Sequence, residues 1–375
     1  MRGRSADEEH RVSTSLELFF DLCFVVAVSQ AAAQLAHRLA EGHYGSGLLG
    51  FTTVFFAIWW AWLNFTWFAS AYDTDDVPYR VMTLVQMSGV LVLAAGVPRA
   101  FHQDFAVVVV GYVIMRVAQV GQWLRAAHEH PEGRSSALVY GIGIFVVQVG
   151  WVLRLGLHGA SGAVSWTVLA LADMSVPIWA EWRRRTSWHP GHIAERYGLF
   201  TLIVLGESVL AATDAVQAGL DVRVTEVLKV AIGGLLVVFA MWWIYFAQPA
   251  EEMLTRASAT GDYRPSFLWG YGHYLIFASA AAVGAGLEVA VEQTVDRAHL
   301  SATAAGMTVA VPVAIYVLSV WLIHARRGML GFPVAAVAVV VAPVTGHAVP
   351  LIGLIMAGLV AVTVVWPSGT PIRGW

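Results

Sequence analysis

Apolar residues run along this chain in stretches separated by short polar knots, and the stretches reach the roughly 20 residues a helix needs to cross a bilayer. Hydropathy and turn signals predict helices at 15–37, 47–70, 79–98, 105–125, 136–156, 161–181, 196–214, 225–247, 266–288, 303–324, 332–346 and 349–366. The last two are interrupted by Pro333, Pro343, Gly346 and Pro350 and could instead form one broken helix or a re-entrant hairpin. The expected count is therefore twelve, or eleven. The first stretch is too long for the apolar region of a signal peptide and carries Glu17, Asp21, Gln30 and Gln34, so it reads as a retained span.

Composition narrows the class. Of 375 residues, 58% are hydrophobic and 13% charged, with a mean hydropathy of +0.66; soluble domains carry about 25% charged residues. Too few polar side chains remain to coat a water-facing globule. The expected fold is an all-α integral membrane protein of about twelve transmembrane helices. The basic residues, 21 Arg and Lys229, are scattered, which argues against nucleic acid. Cys23 is the single cysteine and reads as a packed side chain, since no intramolecular disulfide or Cys-rich metal site is available to it.

With the N-terminus inside and twelve crossings, fifteen arginines fall on the inner face, among them Arg80, Arg125, Arg134, Arg183, Arg184, Arg185 and Arg196. The outer face receives Arg38, Arg99, Arg154, Arg223, Arg297 and Lys229. That is the asymmetry of short cytoplasmic loops, and a missed mid-chain span would destroy it. The two halves also resemble each other at an offset of about 182 residues. LELFFDLCFVVAVSQ from Leu16 matches LFTLIVLGESVLAAT from Leu199 in character, and each is followed by a span with paired tryptophans, Trp59–Trp60 and Trp242–Trp243. The organisation predicted is a cytoplasmic segment 1–14, two parallel six-helix repeats at 15–182 and 183–366, and a tail 367–375.

Charged residues within spans are expensive and mark candidate sites. Glu17 and Asp21 are spaced i, i+4 on one face of the first helix, where two ionised carboxylates repel. The bland reading of Glu17 is complementarity to a helix N-terminus. The seventh span brings His192, Glu195 and Arg196 at its start and Glu207 deeper in. Arg116, mid-span in the fourth helix, is the countercharge that depth assigns to Glu207. Asp73, Asp75 and Asp76 form either a cation-attracting cytoplasmic mouth or a solvated turn with helix caps. Asn64, Gln86, Gln119, Gln122, Gln148 and Asp173 read as helix glue. His192 and Glu195 carry half of a reversed Glu-x-x-His pattern, but further candidates such as His273 have no diagnostic spacing, so no metal and no cofactor is expected.

RVSTSLELFFDLCFVVAVSQ, WWAWLNFTWFASAYDTDDVPYR and HIAERYGLFTLIVLGESVLA, in that order, resemble the signature segments of the bacterial low temperature requirement A (LtrA) family. The resemblance implies a multi-pass protein of the bacterial inner membrane, in a family named for growth in the cold. It marks Glu17, Asp21, Asp75, Asp76, His192, Glu195, Arg196 and Glu207 as its charged motif positions. A more distant pattern likeness links the first span to potassium channels built of two six-span repeats. Three function classes stay open. The first is transport or ion permeation through Glu17, Asp21 and Glu207 with Arg116 and Arg196 as countercharges. The second is a membrane enzyme protonating a lipid or isoprenoid, and the third is a non-catalytic stress-response protein. The reading leans away from an enzyme; no phosphate loop or nucleophile elbow is present. The partners expected are membrane lipids and a small ion or small-molecule substrate, with homo-oligomerisation left open.

Overall fold

A computed structural model describes residues 1, 3, 12–219, 223–248, 250–260, 264–324 and 330–365. Arg326, Arg327, Arg373, most of the N-terminal segment and the tail expected at 367–375 lie outside these described residues. The described residues form helices joined by short turns, with no strand among them. In chain order these are α1 (Ser15–Ala40), α2 (Tyr44–Tyr72), α3 (Val77–Ala100), α4 (Ala106–Glu129), α5 (Arg134–Leu153) and α6 (Gly159–Arg183). There follow α7 (Pro190–Gly219), α8 (Val224–Phe246), α9 (Ala250–Thr260), α10 (Arg264–Thr294), α11 (Ala302–His324), α12 (Gly331–Val341) and α13 (Ala348–Val365). Each sequence-predicted span falls on one of them; α9, a polar helix of 11 residues, was not anticipated.

Ten segments among the described residues are long and apolar enough to cross a membrane. They comprise α1 to α6, α8 continuing into α9, α10, α11 and α13. Outside that set stand α7, 30 residues long with Glu195, Arg196, Glu207 and Asp214 along it, and the 11-residue α12. At 1.5 Å per residue α12 rises about 17 Å, short of a full hydrocarbon core. A 3-10 turn over Ala342–Thr345 prolongs it, and Gly346 at φ +75° turns the chain back so that α13 packs on α12. Only a residue without Cβ takes that left-handed corner at no cost. The C-terminal pair is therefore two separate helices packed on each other, of which α13 is long and apolar enough to cross and α12 is shorter.

The chain packs as two compact units. The first comprises residues 1–30, 56–197 and 254–263; the second comprises 31–55, 198–253 and 264–375. In the first unit α3, α4, α5 and α6 pack consecutively. Its core joins Phe68 and Tyr72 of α2 to Tyr79, Trp123, Tyr140, Val176 and Ala180, with Trp123 stacked on Tyr140 at 4.1 Å. The α3–α4 contact is backbone-close: a Cβ on Gly89 would lie 2.7 Å from the Gly111 carbonyl oxygen, and one on Gly111 2.7 Å from that of Gly89. Such small-residue crossings substitute for the hydrophobic drive that lipid removes. In the second unit α10 packs on α11 and α8 on α13, and the Tyr316 hydroxyl donates to the Met241 carbonyl at 3.0 Å. Outward faces carry Val117, Phe145, Leu171, Ile232 and Phe239, all exposed. Large apolar side chains facing outward from nearly every helix are what lipid, not water, requires.

Candidate functional site

Thr14, just ahead of α1, has the sequence Thr-x-x-Glu, and the structure closes it as a reciprocal capping box. The Thr14 backbone N–H donates to Glu17 Oε2 at 2.8 Å, while the Glu17 N–H donates to Thr14 Oγ1 at 3.3 Å. Glu17 thus complements the helix start, as the bland reading held. Its other oxygen faces inward: Oε1 lies 3.0 Å from Nε2 of His192, and both side chains are fully buried. One turn on, Asp21 Oδ1 accepts from Arg196 Nη2 at 2.7 Å and from the Trp62 indole N–H at 2.8 Å.

Spacing explains the arrangement. Glu17 and Asp21 share one face of α1, and His192 and Arg196 share one face of α7. Residue numbers rise together across the two pairs, so the helices run parallel there and meet as a two-rung ladder of acid and base. The carboxylates that would repel when facing each other are each given a separate basic partner. Thr66 and Phe65 of α2 complete the Arg196 surroundings, the hydroxyl accepting from Nη2 at 3.4 Å and the ring lying 5.8 Å from the guanidinium carbon. Nε and Nη1 of Arg196 and Oδ2 of Asp21 are buried and make no hydrogen bond. A guanidinium offers five donors, and such groups buried in a membrane carry a cost of a few kcal/mol each unless engaged. The site therefore holds unspent capacity for both a donor and an acceptor.

Around the ladder, Glu195 accepts from the Ser13 backbone N–H at 3.0 Å and holds the chain entering α1. Tyr197 takes the Trp67 indole N–H at 3.1 Å and packs edge-on against Trp62 at 4.9 Å. Trp59, Trp60 and Trp62 are fully buried core residues, not interfacial anchors. Trp62, Thr66 and Thr14 are contributors that the sequence reading passed over; the only advance signal was the capping-box spacing of Thr14.

The other sequence candidates sort differently. Arg116 does not serve as the countercharge of Glu207: Asp173 of α6 takes its Nη2 at 3.3 Å, Gln119 takes Nη1 at 2.8 Å, and the Trp151 indole donates to Asp173 at 3.3 Å. Depth alone did not distinguish two mid-span acids; the packing of α4 against its sequence neighbours did. Glu207 belongs to the second unit, where it is buried beside Ser208, whose hydroxyl donates to the Ala280 carbonyl at 3.0 Å. Asp75 is held by Arg80 at 2.7–2.8 Å, and Asp76 caps α3 through the Tyr79 N–H while binding Arg125 at 2.8 Å. Asp73 Oδ1 accepts from the Asp75 N–H. These three read as a cap-and-turn assembly rather than a bare acidic mouth. Gln86 and Gln122 bridge α3 and α4 at 2.8 Å as expected of glue, whereas both amide atoms of Gln148 are buried without a partner. Cys23 donates to the Phe19 carbonyl within its own helix.

Helices with apolar outward faces that bury Glu17, Asp21, Arg116, Asp173 and Arg196 among them, with no strand among the described residues, define a polytopic membrane protein. It belongs to the bacterial low temperature requirement A (LtrA) family, whose model matches residues 12–367. The uncharacterized protein RA0937 of Rhizobium meliloti (strain 1021) is 27% identical over 301 residues, covering 76% of this chain and 69% of that one. No solved structure matches the chain.

Proposed function

We propose that this LtrA-family protein is a transporter or ion-permeation protein of the bacterial inner membrane, with Glu17, Asp21, His192 and Arg196 as its proton- or cation-coupling group. The observation that carries the reading is the buried two-rung ladder with unengaged atoms on Arg196 and Asp21. Intramembrane ionisable groups are seldom retained for stability alone, since buried ion pairs are weak stabilisers. One proton added or removed changes the net charge of the quartet, and hence what the spare donors and acceptor attract. The parallel run of α1 and α7 at the ladder supports an odd number of crossings between them, as the five helices α2 to α6 would supply. It fits twelve spans in two six-helix repeats, 15–182 and 183–366, and agrees with the arginine asymmetry that puts the N-terminus in the cytoplasm.

The test is flux in proteoliposomes under imposed proton and potassium gradients, comparing unaltered protein with Asp21→Asn and Glu17→Gln. Flux that falls at least tenfold in either variant, with unfolding still cooperative, supports the coupling role. Absence of flux under both gradients overturns ion movement and shifts the assignment to lipid chemistry at the Asp21 carboxyl beside Trp62.

A further inference from the structure

A cavity of about 220 Å³ lies at one end of the second unit, between the start of α8, the end of α10, the start of α11 and the corner leading into α13. Arg223 just ahead of α8, Lys229 within it and His347 of the corner bring basic groups to it. Arg223 is fixed at the rim, donating to the Thr294 carbonyl at 3.1 Å and to the Asp296 carboxylate. Lys229 lies 2.8 Å from Glu226, which shares the rim. Val230, Ala305, Val349 and Pro350 add apolar lining, alongside the polar Gln293 and Thr294.

We propose that this cavity binds the phosphodiester headgroup of a membrane phospholipid. Three features select that chemistry. The basic groups gather where membrane-spanning helices end, the depth of the headgroup layer. Apolar lining together with charged groups fits a ligand with a carbon backbone next to its phosphate, not a bare ion. Glu226 then discriminates by charge, because its carboxylate tolerates a singly charged diester better than a doubly charged free phosphate. The first turn of α13 carries no acid, so the N-terminal end of its dipole adds to the positive side of the site. Nothing in this assignment depends on the transport reading.

The test is native mass spectrometry of the full-length protein in detergent, titrated with phosphatidylglycerol, phosphatidylethanolamine or inorganic phosphate. The expected result is one retained phospholipid, held about tenfold more weakly by Lys229→Gln and by His347→Gln and more weakly still by the double variant. Arg99→Gln, a basic residue at the end of α3, serves as control and leaves retention unchanged. Lys229 and His347 are exposed, so their substitution leaves the packed core untouched, and Arg223→Gln is a third variant that reads the same site. Retention indifferent to all three substitutions, equal loss in the Arg99 control, or inorganic phosphate bound as tightly as lipid would each overturn the assignment.

Discussion

The indole of Trp62 and the guanidinium of Arg196 converge on one oxygen of Asp21, Oδ1, at 2.8 and 2.7 Å. A neutral and a charged donor on a single acceptor leave the second oxygen bare, and they tie α2 and α7 to the same point on α1. Asp21→Ala strips Arg196 of its countercharge in a buried setting, which costs about 3–5 kcal/mol. Arg196→Leu placed on top restores a large part of that, since two apolar groups replace a charge pair. A thermal-unfolding double-mutant cycle in detergent measures this, and a coupling below about 1 kcal/mol contradicts the pairing.

Asp76 supplies a pH-dependent contribution on the aqueous side of α3. Hydrogen bonds from Arg125, foremost, and from the Tyr79 N–H hold its carboxyl down to about 2 from an ordinary 3.8. A depressed folded-state pKa contributes stability that is complete above the unfolded value and lost as pH falls through the folded one. The stability difference between unaltered protein and Asp76→Asn is therefore flat above about pH 5 and shrinks between about pH 4 and 2. At neutral pH, Asp76→Ala costs about 1 kcal/mol from the lost cap. A difference that grows on acidification counts against this account.

Gln148 buries a primary amide with neither atom bonded. Removing an unsatisfied buried polar group is favourable by about 1–3 kcal/mol, so Gln148→Leu raises the unfolding midpoint. A fall in midpoint means that the amide has a partner in the membrane.

The reciprocal approach of Gly89 and Gly111 admits no side chain. Gly111→Val forces α3 and α4 apart and destabilises by about 1–3 kcal/mol, with Gly89→Val acting similarly. Cysteine crosslinking along the two helices reports the separation directly, and an unchanged pattern with unchanged stability contradicts the close crossing.

Helix positions were legible because each span must satisfy its own backbone and so declares itself in about twenty consecutive apolar residues. The i, i+4 pairs Glu17–Asp21 and His192–Arg196 were legible for the same local reason. That the two pairs face each other was not, because the rotation of α1 is set by long-range side-chain packing such as Phe20 stacked on Phe65 of α2 at 3.7 Å. Arg116 shows the limit most clearly. Its partner, Asp173, stood in the sequence as an ordinary polar contact, and only the packing of α4, α5 and α6 brings the two together with Trp151. The cap at Thr14 and Glu17 lay within three residues and could have been read in advance; the indole of Trp62, 41 residues from Asp21, could not.

Equal spacing on both sides gives the Glu17–His192 and Asp21–Arg196 ladder the property of a ratchet. Displacing α7 along α1 by four residues, about 6 Å, would bring Arg196 opposite Glu17 and leave one rung made instead of two. A shift of half that length would make neither. Sliding between the two helices would therefore pass through an unpaired intermediate, and the equal spacing favours steps over drift.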